Sequence, residues 1–221
     1  MAELLEQAVA VERQMIRTFL FSVVFSAALL PAVAWGQVYY TYPSADVLDD
    51  RAVTAGPYFA GGNRLLGTAL FARLGVSKYL EAGLETQVDY DHSEWLWGMG
   101  VDAKLGLFPA EARFPFDMSF NTGLGFRIGD TTDSFQIPIG LLMSSPYKTD
   151  GGNSLTPYGG VYLLITDTRV DTPTGKASDR NLDVELRLGL RYTTVNRLDL
   201  WGAIHLGREA LFQIGFIFRV R

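Results

Sequence analysis

The sequence of 221 residues contains no cysteine, so neither a disulfide bond nor a thiolate-ligated zinc site can form. It also lacks an excess of basic charge. The formal net charge is -5, and Lys and Arg do not cluster anywhere in the chain. Because nucleic acid is bound mainly through cationic patches, we expect no nucleic-acid partner.

Long hydrophobic runs are also scarce. The mean hydropathy of +0.12 argues against a bundle of membrane helices. The one long apolar run covers residues 16–35, has the basic residues Arg13 and Arg17 at its start, and includes the small-residue ending around Ala34. This order is typical of a secretory signal peptide, and it predicts export with cleavage near Ala34 or Gly36. An uncleaved anchor helix is the alternative interpretation.

These features predict three parts of the chain. Residues 1–36 form an N-terminal extension with the signal peptide, and residues 37–50 form a polar, proline-containing lead-in on the periplasmic side. Residues 51–221 form the folded domain. Met15 directly precedes the basic part of the signal, so the chain can start at Met1 or at Met15.

The clearest pattern in the folded domain is a strict alternation over residues 80–107. One face of the first segment carries Leu80, Ala82, Leu84, Thr86, Val88 and Tyr90. One face of the second carries Trp95, Trp97, Met99, Val101, Ala103, Leu105 and Leu107. A period of two predicts strands. Their length and the aromatic residues near their ends are typical of strands that cross a membrane.

Similar alternation predicts about ten strands in total, with eight to twelve possible. Pro138 and Pro157 each remove a ladder donor from the sixth and seventh strands. The polar residues 166–180 predict the longest exposed loop. Since only a closed sheet satisfies every backbone group in lipid, the sequence predicts an all-β fold, a closed antiparallel up-and-down transmembrane β-barrel.

The faces opposite the apolar ones carry charges. If Tyr90 lies opposite Trp95, Glu81 lies opposite Lys104. With Val76 opposite Leu80, Arg73 becomes diagonal to Glu81 and Glu85. With Tyr192 opposite Leu198, Arg191 meets Asp199, and Glu185 meets His205. We therefore predict a lumen closed by ion pairs among these residues: Arg73, Glu81, Glu85, Lys104, Arg191 and Asp199.

Few residues suggest catalysis. Glu185 and His205 could form an acid/base couple near the outer mouth, although a lumen ion pair explains them more simply. The sequence has no P-loop, no dinucleotide-binding glycine motif and no metal-ligand spacing, so we expect no cofactor and no metal.

The signal peptide, the alternating strands and the aromatic C-terminal strand FQIGFIF (residues 212–218) resemble those of bacterial outer-membrane β-barrel proteins, specifically the small single-chain barrels. This resemblance implies a Gram-negative-type envelope. It also implies that the chain contacts the barrel assembly machinery, the lipid bilayer and a lipopolysaccharide-type outer leaflet.

The favoured function is that of a small outer-membrane barrel with a structural, surface-interaction or limited, porin-like permeability role. The sequence favours a protein without catalytic activity. One alternative is an outer-membrane hydrolase of lipid or peptide that uses Glu185 and His205. A second alternative is a soluble exported β-barrel that binds an apolar ligand. The oligomeric state stays open.

Overall fold

The computed structural model describes residues 41–62, 65–91, 94–109, 115–149, 151–172, 175–195, 198–208 and 210–220. The predicted signal peptide, its cleavage positions and the two candidate start residues lie outside the described residues. Within the described part, no helix has the length and apolar character needed to span a membrane.

The described residues form eleven strands joined in antiparallel order. Their bounds are β1 Val53–Gly62, β2 Leu65–Ser77, β3 Leu80–Asp91, β4 Glu94–Phe108, β5 Asp117–Ile128, β6 Thr132–Ser144, β7 Tyr147–Lys148, β8 Ser154–Thr172, β9 Gly175–Thr193, β10 Leu198–Leu206 and β11 Ala210–Val220. Each long strand pairs with the long strands before and after it in the sequence, and β1 pairs with β11. β6 pairs directly with β8, while the two-residue β7 pairs only with the start of β8. Ten long strands therefore form the closed wall. The prediction of a closed antiparallel barrel of about ten strands is therefore confirmed.

The stagger of the strands sets the width of the barrel. From Trp97, the ladder through β3, β2, β1, β11 and β10 reaches Leu190 on β9. In the other direction, the ladder through β5, β6 and β8 reaches Ser178, twelve residues away from Leu190. For ten strands this stagger corresponds to a tilt of about 40° and a backbone cylinder of about 10 Å radius. Long side chains can meet across such a lumen.

The two faces of the barrel have opposite character. Along β2, buried and exposed residues alternate strictly up to Val76, and the exposed ones include Leu66, Leu70 and Leu74. Exposed aromatic residues lie towards both ends of the strands: Tyr90, Trp95 and Trp97 at one end, and Tyr79, Phe108 and Tyr147 at the other. An apolar outer wall flanked by aromatic residues fits a hydrocarbon layer between two aqueous interfaces.

The strands β8 and β9 form a hairpin of nineteen residues on each side. The hairpin extends past β10, whose last pair is Leu206 with Leu186, whereas β6 pairs with β8 as far as Val170. The predicted loop at residues 166–180 is wrong, because the two strands continue to pair until Thr172 and Gly175. A strand that lies outside a hydrocarbon layer needs no apolar face. A salt bridge of 3.0 Å between Arg180 and Asp167 joins the two strands. Polar composition therefore does not mark a loop here.

Two of the predicted strand registers differ in their outcome. Tyr90 lies opposite Trp95, as predicted. The register predicted for β9 and β10 is wrong by two residues, since Asp199 pairs with Thr193. Pro138 and Pro157 both lie inside strands, opposite residues of β8 and β9 respectively.

Residues 41–50, which we call the lead-in segment, precede β1 and turn into the barrel. Thr41, Tyr42, Ser44 and Ala45 are each exposed by 4% or less, so this part of the segment is buried inside the lumen. We call the barrel end that holds the start of β1 and the end of β11 the terminal end, and the opposite end the hairpin end. The lead-in segment enters from the terminal end.

Candidate functional site: the lumen

The lumen contains the buried charged side chains of the described residues. Its charged or ionisable side chains are exposed by 0 to 7% and come from the inward faces of the strands: Arg73, Glu81, Glu85, Asp89, Asp102, Lys104, Arg127, Glu185, Arg187, Arg191, Asp199 and His205. Burial of so many charges is tolerable only when they are paired, because an unpaired ion in a dry interior costs several kcal/mol.

Near the terminal end, four residues of β2, β3 and β4 form the Arg73 cluster, which consists of Arg73, Glu81, Asp102 and Lys104. One guanidinium nitrogen of Arg73 lies 2.8 Å from Glu81, and the other lies 3.1 Å from Asp102. Lys104 Nζ lies 3.2 Å from Glu81. Sequence reasoning did not single out Asp102, although it shares the inward parity of Lys104.

Glu85 lies in the same part of the lumen, but its hydrogen-bond partners are not arginines. Its carboxylate accepts a hydrogen bond of 2.5 Å from the hydroxyl of Tyr58 and another from the backbone N–H of Thr41. Arg73 lies diagonal to Glu85 between β2 and β3, as predicted, and Glu85 also contacts the lead-in segment.

A second cluster at the terminal end is centred on Arg191 of β9. Two of its guanidinium nitrogens lie 2.8 and 2.6 Å from Asp199 Oδ2. The third donates to the hydroxyl of Ser44 at 2.7 Å and lies 3.3 Å from Asp46. Arg219 lies 3.4 Å from Asp199. Arg191 and Asp199 pair diagonally between the strands, because the register differs from the predicted one by two residues.

Near the hairpin end, Glu185 contacts both Arg187 and His205. The guanidinium of Arg187 donates to the Glu185 carboxylate, and His205 Nδ1 lies 3.2 Å from the same oxygen. Glu185 is exposed by 1% and His205 by 3%. The two residues are together, but they are shielded from any substrate, and the glutamate charge is already held by an arginine.

Arg127 and Asp89 form another pair near the hairpin end, which sequence reasoning missed. Arg127 lies on β5 and Asp89 on β3, with β4 between them, and their closest atoms are 3.1 Å apart. Gln87 donates a hydrogen bond of 2.6 Å to Asp89. Extending the correct β3–β4 register by one further strand would have brought these charges close together.

An aromatic stack crosses the middle of the lumen and includes one residue of the lead-in segment. The Arg187 guanidinium lies 4.0 Å from the ring centre of Tyr162, which stacks on Tyr42 at 5.9 Å with an interplanar angle of 12°. Arg73 covers the Tyr42 ring at 4.7 Å. We call these four residues the four-layer stack. Each aromatic ring thus has a cation as a neighbour, an arrangement that favours both contacts.

The lead-in segment is held mainly by polar contacts. Besides the Arg191 contacts, the Tyr42 hydroxyl donates to the Thr122 carbonyl at 3.3 Å and the Ala45 N–H donates to the Ser144 hydroxyl at 3.0 Å. Lys104 Nζ donates to the Asp46 carbonyl at 2.9 Å. The Leu48 N–H donates to Glu81 at 3.1 Å. The segment therefore binds both charge clusters of the terminal end.

Asp46 is the acid through which the segment contacts the wall cations. Burial disfavours its charged form, but the positive charges of Arg191 and Lys104 and a hydrogen bond from Ser44 outweigh this and hold the pKa of Asp46 below its usual 3.8. About half of its side chain, 47%, is exposed. Asp46 is therefore an ionised group that stays in contact with water.

Inward-facing glycines let the aromatic rings fit against the wall. A Cβ at Gly140 would lie 2.3 Å from the ring of Tyr162, and one at Gly189 would lie 2.2 Å from the ring of Tyr158. These positions explain why the polar parity of the strands is rich in glycine, because a side chain there would occupy the space of a ring.

Together, the apolar outer wall, the closed ladder and the charged interior define the architecture of a small outer-membrane β-barrel. The described residues hold no group of three or more Asp, Glu, His or Cys side chains arranged to bind a metal ion. The interior is organised for mutual charge pairing, and the resemblance to outer-membrane barrels inferred from the sequence is confirmed at the level of architecture.

Comparison with known proteins adds similarities of fold. The chain is similar to the beta domain of the Bordetella autotransporter Brka, with 11% identity, a TM-score of 0.47, and coverage of 78% of this chain and 100% of that chain. It is also similar to a bacterial polysaccharide outer membrane secretin, with 10% identity, a TM-score of 0.45, and coverage of 77% of this chain and 66% of that chain. The similarity to the KdgM porin has 9% identity, a TM-score of 0.40, and coverage of 76% of this chain and 99% of that chain. No protein-family model matches the sequence, and no curated protein does.

Proposed function

We propose that the protein is a non-catalytic barrel of the bacterial outer membrane whose lumen is sealed and whose β8–β9 hairpin is presented outside the cell. In this arrangement the terminal end faces the periplasm, the signal peptide is removed near Ala34 or Gly36, and the barrel assembly machinery inserts the chain. The hairpin end then faces the lipopolysaccharide-type outer leaflet. The barrel provides a rigid base for the hairpin.

The observation that carries this proposal is the packing of the lumen. Its charged side chains are almost fully shielded and pair with one another, as Arg73 does with Glu81 and Asp102. A water-filled channel would leave such groups solvated and accessible. The four-layer stack closes the middle of the cylinder, and the lead-in segment fills its terminal end.

A surface-interaction role is supported by the hairpin itself. The strands that carry residues 166–180 keep pairing out to Thr172 and Gly175, although their sequence is mostly polar. An ordered polar hairpin on a sealed base is suited to contacts outside the membrane. Glu185 and His205 are buried and ion-paired, so we do not propose hydrolysis at this couple.

Conductance in planar bilayers tests the seal. We expect the refolded protein to show the gel mobility of a heat-modifiable barrel and no stable single-channel current. Reproducible unit currents from the folded protein would contradict the proposal. Fractionation of cell envelopes, followed by protease treatment of intact cells, tests the orientation. Cleavage within residues 166–180 is expected only if the hairpin is outside.

A further inference from the structure

The lead-in segment differs from the rest of the lumen in how it is retained. The wall cations that contact the segment also have partners on the wall. Arg191 keeps Asp199, and Lys104 keeps Glu81. If the segment leaves, none of these ions is left without its counter-ion, and the vacated hydrogen bonds can go to water from the open terminal end. Release of the segment is therefore far less costly than loss of a wall residue.

The space that the segment occupies has the features of a ligand site. Tyr42 fills a slot between the Tyr162 ring and the Arg73 guanidinium, and the Thr122 carbonyl accepts from its hydroxyl. Four residues later, the Asp46 carboxylate lies at Arg191. Between the two, Ser144 accepts from the chain backbone. The wall thus contacts a ring, a backbone N–H and an acid in a fixed order.

We propose that the terminal half of the lumen is a binding site for a peptide that carries an aromatic ring followed four residues later by a carboxylate, and that the lead-in segment is its built-in, displaceable occupant. The inference rests on the proposed function in one respect, since the segment contributes to the seal. A competing peptide binds only when the segment swings out through the terminal end.

The absence of cysteine permits a direct test in the full-length chain. Ser44→Cys introduces a single thiol on the segment, whereas Ser119→Cys places an equally buried thiol on the wall strand β5. Both folded variants, verified by heat-modifiable mobility, are exposed to a membrane-impermeant maleimide. We expect the thiol at position 44 to react on the order of tenfold faster than the thiol at position 119, because release of the segment needs no unfolding of the barrel.

The ligand is tested with a synthetic peptide of residues 41–50, TYPSADVLDD. By capturing the vacated site, free peptide at about ten times its dissociation constant for the vacated site should raise the labelling rate of the Ser44→Cys variant on the order of tenfold. It should leave the rate of the Ser119→Cys variant unchanged. A control peptide with alanine for the tyrosine and asparagine for the first aspartate should have little effect.

Each outcome decides one part of the inference. Equal labelling of the two variants means that the segment is a fixed part of the wall, which overturns displacement. Fast labelling of the Ser44→Cys variant that neither peptide alters, or both alter equally, overturns the peptide site. Channel currents from the unsubstituted protein would instead overturn the proposed seal, so the two failures are distinguishable.

Discussion

The wall of the lumen and the lead-in segment supply polar groups to the same interior, but their charges are balanced differently. On the wall, acids and bases pair with each other and are buried, as Arg73 is with Asp102. On the segment, Asp46 is half exposed and binds an arginine that already has a partner. Burial alone therefore does not make a polar group indispensable. What matters is whether its removal leaves an ion without a counter-ion.

The largest effect is expected from a wall cation. Arg73→Met should reduce the free energy of unfolding by about 3–5 kcal/mol, because Asp102 loses its ion-pair partner while it stays buried. Urea unfolding of the barrel in lipid vesicles measures the change. Arg51→Ala, at an exposed position, is the control and should have little effect.

A double variant sharpens this result. If the cost comes from the uncompensated acid, Asp102→Asn added to Arg73→Met should restore part of the lost stability. An equal or greater loss in the double variant would mean that the wall tolerates unpaired acids, and the distinction between wall and segment would then fail.

The packing of the wall gives the next largest effect. Gly140→Ala should cost about 1–3 kcal/mol, because its Cβ would overlap the Tyr162 ring and push against the four-layer stack. Gly202→Ala is a matched control, since the nearest atom to its Cβ lies at an ordinary 3.5 Å. Equal unfolding curves for the two variants would contradict the tight fit that we describe.

A smaller effect is expected from the segment. Tyr42→Ala should reduce the free energy of unfolding by about 1 kcal/mol, the scale of a stacking and cation–π contact, because water from the terminal end can fill the slot. The same urea experiment applies. A loss as large as that of Arg73→Met would mean that the segment belongs to the folded core.

The smallest effect is expected for Asp46→Asn, less than about 1 kcal/mol, since a half-exposed ion pair contributes little. The direction in which this stability difference changes with pH follows from the pKa of Asp46. The pKa of Asp46 is lowered in the folded protein, so the contribution is present above its usual 3.8 and disappears as the pH falls through the lower folded value. The difference between variant and unsubstituted protein should therefore vanish in acid and stay constant near neutrality.

Much of the barrel could be predicted from the sequence because lipid outside and charge inside impose a period of two. The β3–β4 register followed from matching the apolar faces, since a short turn leaves few alternatives. The β9–β10 register could not be fixed in this way. A shift of two residues leaves every side chain on the same face, so the apolar pattern does not distinguish Thr193 from Arg191 as the residue opposite Asp199.

Other features left weaker signals in the sequence. The pairing of Arg127 with Asp89 joins strands that are not neighbours, so it depends on two successive registers, β3–β4 and β4–β5. Nothing in the polar residues 41–50 indicates that they enter the lumen, because their partners are distributed over several strands. Such contacts arise only when the cylinder closes.

The unpaired edge of β9 in the β8–β9 hairpin limits how far a hydrocarbon layer can extend on this side of the barrel. Among the described residues, β9 has no β10 residue opposite it from Ala177 to Glu185, and the last rung joins Leu186 to Leu206. Backbone amide and carbonyl groups that have no partner on a neighbouring strand cannot lie in a hydrocarbon layer. On this flank a hydrocarbon layer therefore ends at or before Leu186, so that Leu182 and Val184, although apolar and outward-facing, lie outside it.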